Sequence, residues 1–204
     1  MRILIFLILI VSLIQAANAA FVPKSFVAEL NEVHKAESIK TEIKYMQGGY
    51  IYYTSFDTFE ENLPQLIYVC NPKTTYKYVP PFDKSEKGEL TKGDSNVYCY
   101  SKVFEALTRG LKDNELYKVK LGKKSATLTF SEKASKQLGL LKIEFTFKNE
   151  SKNSIADIAN MILYFEQKPQ PTKFELKKFN IKQKLNKADF EFQVPENTNI
   201  KEMN

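Results

Sequence analysis

The sequence is poor in the side chains that build the common catalytic and metal centres. Its 204 residues include one histidine, two cysteines and no tryptophan. Because the common zinc sites need several His or Cys ligands, such a centre is excluded, and we predict neither a metal nor a cofactor. Catalytic Ser–His and Cys–His pairs would both depend on His34, which no partner motif accompanies. A surface or edge histidine is the simpler interpretation.

A pair of carboxylates is the other route to catalysis, and it has little support. Asp57, Glu60 and Glu61 could supply acid–base groups to an exported hydrolase. Such pairs work when the two environments push the pKa values apart, and nothing in the sequence separates these three residues in that way. We interpret them as charged turn residues and predict that the protein is not an enzyme.

Glycine and arginine are also scarce. With seven glycines the chain contains neither G-x-x-x-x-G-K-[ST] nor G-x-G-x-x-G, so the common nucleotide-binding loops are excluded. Arg2 and Arg109 are the only arginines, and lysine carries almost all of the positive charge behind a formal net charge of +6. Scattered lysines usually form a solvated face, although they could steer a protein to anionic surfaces.

Residues 1–19 have the three parts of a secretory signal peptide. Arg2 forms the charged start, and residues 3–14 form an apolar run that is too short to span a bilayer comfortably. Ala17-Asn18-Ala19 supplies a cleavage site. An uncleaved membrane anchor is the alternative, and the small residues after the run argue against it. We predict an exported protein with a single domain over residues 20–204 and no nucleic-acid partner.

Cys70 and Cys99 are the only cysteines. An even number of cysteines in an exported chain suggests one disulfide. Two separate buried thiols are the alternative, because the sequence does not show that the two positions lie close together. A bridge would close a loop of about 30 residues and stabilise the fold by around 3 kcal/mol in the chain-entropy model.

Two segments have the spacing of amphipathic helices. After Pro23 and Lys24, the residues Phe26, Leu30 and Val33 recur at intervals of four and three. A second helix is predicted over residues 97–111, where the apolar side chains again recur at intervals of three and four.

Two hairpins are predicted between these helices. The first turns at Gly48-Gly49 and pairs Tyr45 with Tyr52. The second turns at Asn71-Pro72. It places four side chains on one face, and we take that face as the inner one: Ile67, Val69, Tyr76 and Tyr78.

The rest of the chain favours further strands. Residues 80–96 are polar, contain both Pro and Gly, and are predicted to form a surface loop. Six alternating runs follow between residues 117 and 181, each with an apolar and a polar face. The pattern predicts an α+β fold with a strongly curved antiparallel sheet or barrel.

The long apolar sheet face has two interpretations. Two short helices cover only part of it, so the remainder either closes into a filled barrel core or lines an open trough. A trough lined by uncharged aromatics suits lipid tails, because each buried CH₂ contributes roughly 0.8 kcal/mol. Pattern alone favours the filled core.

Two segments resemble a known family, the periplasmic lipoprotein carriers of the LolA type. Residues 69–80, VCNPKTTYKYVP, match the family hairpin V-S-D-G-K-T-L-W-x-Y-[DN]-P without a gap. The residues identical to it are Lys73, Thr74, Tyr78 and Pro80, and Tyr76 replaces the tryptophan. Residues 189–200 resemble the family ending F-x-F-x-x-P-x-G-V-x-V. The order of elements agrees along nearly the whole mature chain.

The resemblance implies an unclosed antiparallel barrel with helices as a lid. It also implies a monomeric periplasmic carrier that takes acylated lipoproteins from an inner-membrane ABC transporter and passes them to an outer-membrane acceptor, where one is present. A regulatory protein that senses lipid or lipoprotein on the same scaffold is the alternative. The acyl-chain site would be lined by the following residues: Ile43, Tyr45, Tyr52, Ile67, Val69, Tyr76, Tyr78, Phe104, Leu107, Leu111, Leu128, Phe130, Ile143, Phe145, Phe147, Leu163 and Phe165.

One departure from the family concerns how the lid is held. Carriers of this kind have an Arg-Pro pair before a Phe in the strand after the first hairpin, and that arginine latches the lid by hydrogen bonds. Residues 52–59 contain no arginine, and Arg109 lies in the predicted lid itself. The latch is therefore absent, replaced by Tyr or Lys, or reversed in polarity.

Overall fold

The computed structural model describes residues 20–34, 37–60, 62–83, 85–95 and 98–203. The predicted signal peptide, Glu61 and the side chain of His34 lie outside the described residues. Among the described residues, no helix has both the length and the apolar character needed to cross a membrane.

One twelve-stranded sheet contains all the strands of the described chain. Its strands are β1 (Ser25–His34), β2 (Glu37–Met46), β3 (Tyr50–Phe56), β4 (Pro64–Cys70), β5 (Thr74–Val79), β6 (Gly88–Asp94), β7 (Tyr117–Leu121), β8 (Ser125–Phe130), β9 (Leu140–Phe147), β10 (Ile158–Phe165), β11 (Thr172–Asn180) and β12 (Thr198–Glu202). Their order is β12-β6-β5-β4-β3-β2-β1-β11-β10-β9-β8-β7, so β12 and β7 are edges and the sheet is unclosed.

Two short helices and two 3-10 turns complete the described structure. Helix α1 spans Ser101–Leu107 and helix α2 spans Glu132–Leu138. The turns span Ile155–Asp157 and Lys187–Phe190. The predicted fold class is confirmed: α+β, with a curved, unclosed and almost entirely antiparallel sheet and a helix over its concave face. The strand β12 is the exception, because it pairs in parallel with β6.

The predicted first helix is wrong, because residues 25–34 form strand β1 between β2 and β11. Phe26, Ala28 and Leu30 are all buried, which is the alternation of a strand. Positions four residues apart share a face in a strand as well as in a helix, so Phe26 and Leu30 fit both periods. The buried position of Ala28 is what distinguishes the strand from a helix. Because alanine is small and only weakly apolar, the sequence pattern did not mark this position clearly.

The predicted loop over residues 80–96 is also partly wrong. Residues 88–94 form β6, which pairs with β5 on one side and β12 on the other. Leu90 is the one large apolar residue of this strand and is fully buried. A single apolar position gives no period, so the sequence pattern resembled a loop.

The first hairpin turns at Gly48 and Gly49, as predicted, but its register differs by one residue. Both glycines have positive φ angles, 99° and 93°, and the connection spans three residues. Tyr45 therefore pairs with Ile51, and Tyr52 pairs with Lys44. A one-residue shift moves every side chain of a strand to the opposite face, which puts Tyr52 outside.

The outer face of β3–β5 is covered by the C-terminal segment. Phe190 is 1% exposed and its ring lies 5.5 Å from that of Tyr50. The Phe192 ring lies 5.8 Å from Tyr76 and 5.4 Å from Tyr78. The chain then adds β12 to the edge of the sheet. This covering segment explains why both faces of the second hairpin carry apolar side chains.

Candidate ligand-binding cavity

The concave face of the sheet and helix α1 enclose a cavity of about 600 Å³. This volume lies within the range of small-molecule sites, about 300–1,000 Å³. The interior is therefore not filled by the protein's own side chains. The filled-core interpretation of the sequence pattern is corrected by this finding.

The cavity wall is built by the alternation of the strands. On β1 and β11 the inward positions carry Phe26, Leu30, Phe174 and Leu176. The inward positions of β10 continue the wall, while its intervening residues, such as Ile162, face outward. The members on β10 are Ile158, Met161, Leu163 and Phe165.

The structure brings seven of the predicted site residues to the cavity wall: Ile43, Phe104, Leu107, Ile143, Phe145, Leu163 and Phe165. Five others belong to or pack against the surrounding hydrophobic core without lining the cavity: Tyr45, Leu111, Leu128, Phe130 and Phe147. That any of these twelve contacts an acyl chain stays a prediction.

The remaining five predicted site residues lie on the outer face: Tyr52, Ile67, Val69, Tyr76 and Tyr78. The inner-face assignment of the second hairpin is therefore wrong, although its four residues do share one face. Tyr68, on the other face of β4, lines the cavity instead. Phe190 and Phe192 pack against the apolar side chains of the outer face. The sequence pattern of the hairpin alone cannot show this distant contact.

Sequence reasoning missed the contribution of β1 altogether. Phe26, Ala28 and Leu30 line the cavity, and a helix prediction removed them from the sheet. It also missed Met161 and Phe174, which continue the alternation of strands that were predicted correctly. Both lie in alternating runs that the sequence pattern predicts, but neither was included in the predicted site.

Helix α1 closes one side of the cavity and is here called the lid. Its residues Val103, Phe104 and Leu107 face the cavity. The Phe104 ring lies 5.6 Å from that of Phe26 and 5.2 Å from that of Tyr45. Aromatic pairs at these separations contribute about 0.5–1.5 kcal/mol each beyond their buried area. The lid therefore rests on the cavity wall mainly through apolar contacts.

The N-terminal end of the lid is fixed to β4. A disulfide joins Cys70 to Cys99, two residues before the helix. Beside it, the Tyr68 hydroxyl donates to the Tyr98 carbonyl oxygen and accepts from the Tyr100 N–H at 3.3 Å. Burial raises the pKa of the Tyr68 hydroxyl and raises that of Tyr100 to about 12, so both stay neutral in ordinary buffers. This end of the lid is covalently held.

The other end of the lid makes one long-range polar contact with the sheet. The Gly48 N–H, in the β2–β3 turn, donates to Glu105 Oε1 at 3.1 Å. The donor is on the sheet and the acceptor is on the lid, which is also the polarity of the arginine latch that the resemblance implies, but here the donor is a backbone N–H.

The cavity wall is almost free of charge. Glu32, Lys77 and Lys168 are its only ionisable lysine or carboxylate side chains among the described residues. Tyr53 donates a hydrogen bond to Glu32 Oε2 at 3.4 Å, and burial together with that carboxylate raises the pKa of the Tyr53 hydroxyl. An uncharged wall of this kind solvates neither ions nor polar reaction intermediates.

Asp57 and Glu60, the two described carboxylates among those considered for hydrolysis, do not line the cavity. Asp57 Oδ1 accepts hydrogen bonds from the N–H groups of Phe59 and Glu60 at 2.7 and 3.0 Å, which organises the exposed β3–β4 loop. In the described parts of the chain, no group of three or more His, Cys, Asp and Glu side chains could hold a metal ion.

Some solved structures are similar to this chain at low sequence identity. No family model matches the chain, and no curated protein matches it. A solved structure of an uncharacterised conserved protein from Thermus thermophilus is 9% identical over 88% of this chain and 91% of that chain, with a TM-score of 0.47. The LolA superfamily protein NE2245 from Nitrosomonas europaea is 9% identical over 89% and 96%, with a TM-score of 0.41.

A third similar structure is the MucA/MucB complex of Pseudomonas aeruginosa, which is 10% identical over 83% of this chain and 56% of that chain, with a TM-score of 0.39.

Proposed function

We propose that the protein is a periplasmic carrier that binds the acyl chains of lipoproteins in this cavity and moves them from the inner to the outer membrane. The observation that supports the proposal is the largely apolar cavity of about 600 Å³ beneath helix α1. Its partners are acylated lipoproteins, an inner-membrane ABC transporter of the lipoprotein-release type and, where present, an outer-membrane acceptor. Its role is binding and not catalysis.

A largely apolar cavity favours ligands that bury apolar surface in it. Transfer of an acyl chain from water to an apolar wall contributes roughly 0.8 kcal/mol for each buried CH₂. Leu163, Met161 and Leu176 are only partly buried within the wall, so a tail that covers them removes apolar surface from water. A ligand without an apolar tail gains nothing from these contacts.

A carrier must also release its cargo, and the asymmetry of the lid supports this. One end is held by the Cys70–Cys99 disulfide. The rest of the helix is held by noncovalent contacts, among them the exposed hydrogen bond from Gly48 to Glu105 and the packing of the Phe104 ring on the cavity wall. A net contribution of about 1 kcal/mol is typical of such a bond. Opening the lid therefore breaks no covalent bond, and its cost is the loss of these noncovalent contacts.

The cargo can be identified directly by native mass spectrometry and lipid extraction of protein purified from its own cell envelope. We expect a bound acylated species, and uptake of a fluorescent fatty acid by the delipidated protein. A protein that carries no lipid and takes up no fatty acid would contradict the proposal. A pull-down dominated by one membrane regulator, without a transporter subunit, would favour the sensing alternative.

The lid latch has its own test. Replacing Glu105 by alanine removes the acceptor for the Gly48 N–H, so we expect a fluorescent fatty acid to exchange several-fold faster, consistent with the loss of about 1 kcal/mol. Stopped-flow displacement measures the rate. Glu105→Gln is the matched control, because its amide oxygen still accepts, and it should exchange at nearly the wild-type rate. Equal rates for all three proteins would show that this contact does not hold the lid.

A further inference from the structure

The ends of the strands form two rims of the curved sheet. At one rim β1 begins, β2 turns into β3, β4 turns into β5, and the strands β7, β9 and β11 end. The contact between Gly48 and Glu105 of the lid lies at this rim, which is here called the lid-tip rim. Its connecting segments are residues 20–24, 47–49, 71–73, 122–124, 148–157 and 181–190.

Lysine carries most of the charge of the lid-tip rim. The connecting segments contain nine lysines against three carboxylates, Glu150, Asp157 and Asp189. Asp94 and Glu202 add two carboxylates where β6 and β12 end at the same rim. The lysines are Lys24, Lys73, Lys123, Lys124, Lys148, Lys152, Lys182, Lys184 and Lys187.

The opposite rim has the reverse balance of charge. Its described connections contain six carboxylates and four lysines. They span residues 57–60, 62–63, 80–83, 85–87, 131–139 and 166–171. The fold therefore separates charges that are scattered along the sequence, and the lid-tip rim is the positive end of the sheet.

The carboxylates of the connecting segments are engaged within the rim itself. Glu150 forms a salt bridge with Lys123 at 3.0 Å. Asp157 and Asp189 each accept a hydrogen bond from a backbone N–H at the start of their own 3-10 turn, at 3.1 and 2.7 Å. The other eight lysines of these segments form no salt bridge with a described residue. Their ammonium groups are therefore available to an anionic surface.

The segment 181–190 carries the part of this charge that lies along the lid tip. It begins at the end of β11, beside β1, and ends against β3, where the Phe190 ring lies 5.5 Å from that of Tyr50. Tyr50 directly follows the turn that contacts the lid. All three lysines of the segment are exposed, and so is Ile181, at 59%. A second exposed apolar side chain, Leu121, ends β7 at the same rim.

We propose that the lid-tip rim docks on an anionic lipid bilayer, with its lysines near the phosphate groups and Ile181 in the interface. Basic clusters are attracted to anionic head groups, and an apolar side chain beside them adds buried area. The composition favours a bilayer over a protein partner, because protein interfaces are enriched in arginine and depleted in lysine, and these segments contain no arginine. Lysine is a point charge and needs no fixed geometry in its partner.

Docking through this rim places the contact between Gly48 and Glu105 beside the bilayer. The opposite rim then faces away, because anionic lipids repel its excess of carboxylates. The inference goes beyond the proposed function, since docking needs no acyl chain in the cavity, and each of the two can fail alone.

Cosedimentation of the mature protein with vesicles at low salt tests the docking. Vesicles of phosphatidylcholine alone are compared with vesicles of equal parts phosphatidylcholine and phosphatidylglycerol. We expect about tenfold or tighter binding to the anionic vesicles, and loss of this preference when the salt concentration is raised. Leu163→Glu, which adds a charge to the cavity wall, should keep the preference, because the contact lies outside the cavity.

Two lysine variants locate the contact. Lys182→Gln/Lys184→Gln should weaken binding to the anionic vesicles about tenfold, as two charges near a membrane allow. Lys87→Gln/Lys133→Gln removes the same charge from exposed lysines of the opposite rim and should bind like the wild type. Ile181→Ser leaves the charge unchanged and should weaken binding several-fold, since it removes the apolar contact. Circular dichroism checks that each variant is folded.

Each remaining outcome decides for or against the inference. Equal affinity for the two kinds of vesicle, or equal losses in the two lysine variants, would overturn it. Binding to phosphatidylcholine alone that is lost in Phe59→Ser would assign the contact to the opposite rim, where Phe59 is 91% exposed. Polyglutamate that binds as tightly as the anionic vesicles would assign the lid-tip rim to an acidic protein. Docking without any uptake of fatty acid would support the inference and contradict only the proposed function.

Discussion

Replacing Leu163 by glutamate should weaken the binding of acylated cargo on the order of 10- to 100-fold while the protein stays folded. Leu163 lines the cavity from β10 and is only partly buried, so a carboxylate there can stay hydrated in the empty protein. An acyl chain in the cavity would remove that water, and burying an unpaired charge is strongly unfavourable. Titration with a fluorescent fatty acid measures the loss, and circular dichroism checks the fold.

The neighbouring residue Ile162 provides the matched control. It lies on the same strand with similar partial burial, and it faces outward between Lys173 and Glu144. Ile162→Glu therefore adds the same charge to β10 without entering the cavity, and its fatty-acid affinity should match the wild type. If both variants bind normally, the tail does not contact β10 and the site lies elsewhere.

Reducing the Cys70–Cys99 disulfide should lower the free energy of unfolding by about 3 kcal/mol, because the bridge closes a loop with a sequence separation of 29 residues. Both cysteines are buried beneath the lid attachment. The reduced protein should also lose affinity for the cavity probe, since the lid is then held by noncovalent contacts alone, such as those of Tyr68, Phe104 and Glu105. Denaturant titrations with and without reductant measure the first effect.

The double variant Cys70→Ala/Cys99→Ala separates loss of the bridge from other effects of the reductant. It should match the reduced wild type in stability, and reductant should leave it unchanged. Unfolding of oxidised and reduced wild type at the same denaturant concentration would show that the bridge does not stabilise the fold.

The sheet could be predicted because most of its strands carry local information. Runs such as Leu141 to Phe147 alternate strictly, and their inward residues Ile143 and Phe145 reach the cavity. The lid helix could be predicted for the same reason, because Phe104 and Leu107 share one helical face. The disulfide remained one of two alternatives, since the spacing of Cys70 and Cys99 along the chain says nothing about their separation in space.

Helix α2 was missed although its ends carry clear signals. The Ser131 hydroxyl caps its start by accepting from the Ala134 N–H, and Gly139 ends it with a φ of 63°. These are the residue types preferred at helix starts and ends. Because predicted strands flank this segment on both sides, we interpreted it as a turn between them.

The remaining errors concern features that depend on distant segments. The inner face of β4 and β5 could not be read locally, because Phe192 from the C-terminal segment covers Tyr76 and Tyr78. The parallel pairing of β12 with β6 likewise joins segments more than 100 residues apart. Nor could a pattern distinguish a filled interior from a vacant one, because both need the same inward apolar residues.

The location of a bound tail tests the account most directly. A crystal structure of the protein in complex with laurate should show the alkyl chain inside the cavity, between Phe104 of the lid and Leu163 of β10. Density for the chain in the outer groove beside Tyr52 and Ile67, with the cavity closed by its own side chains, would contradict it.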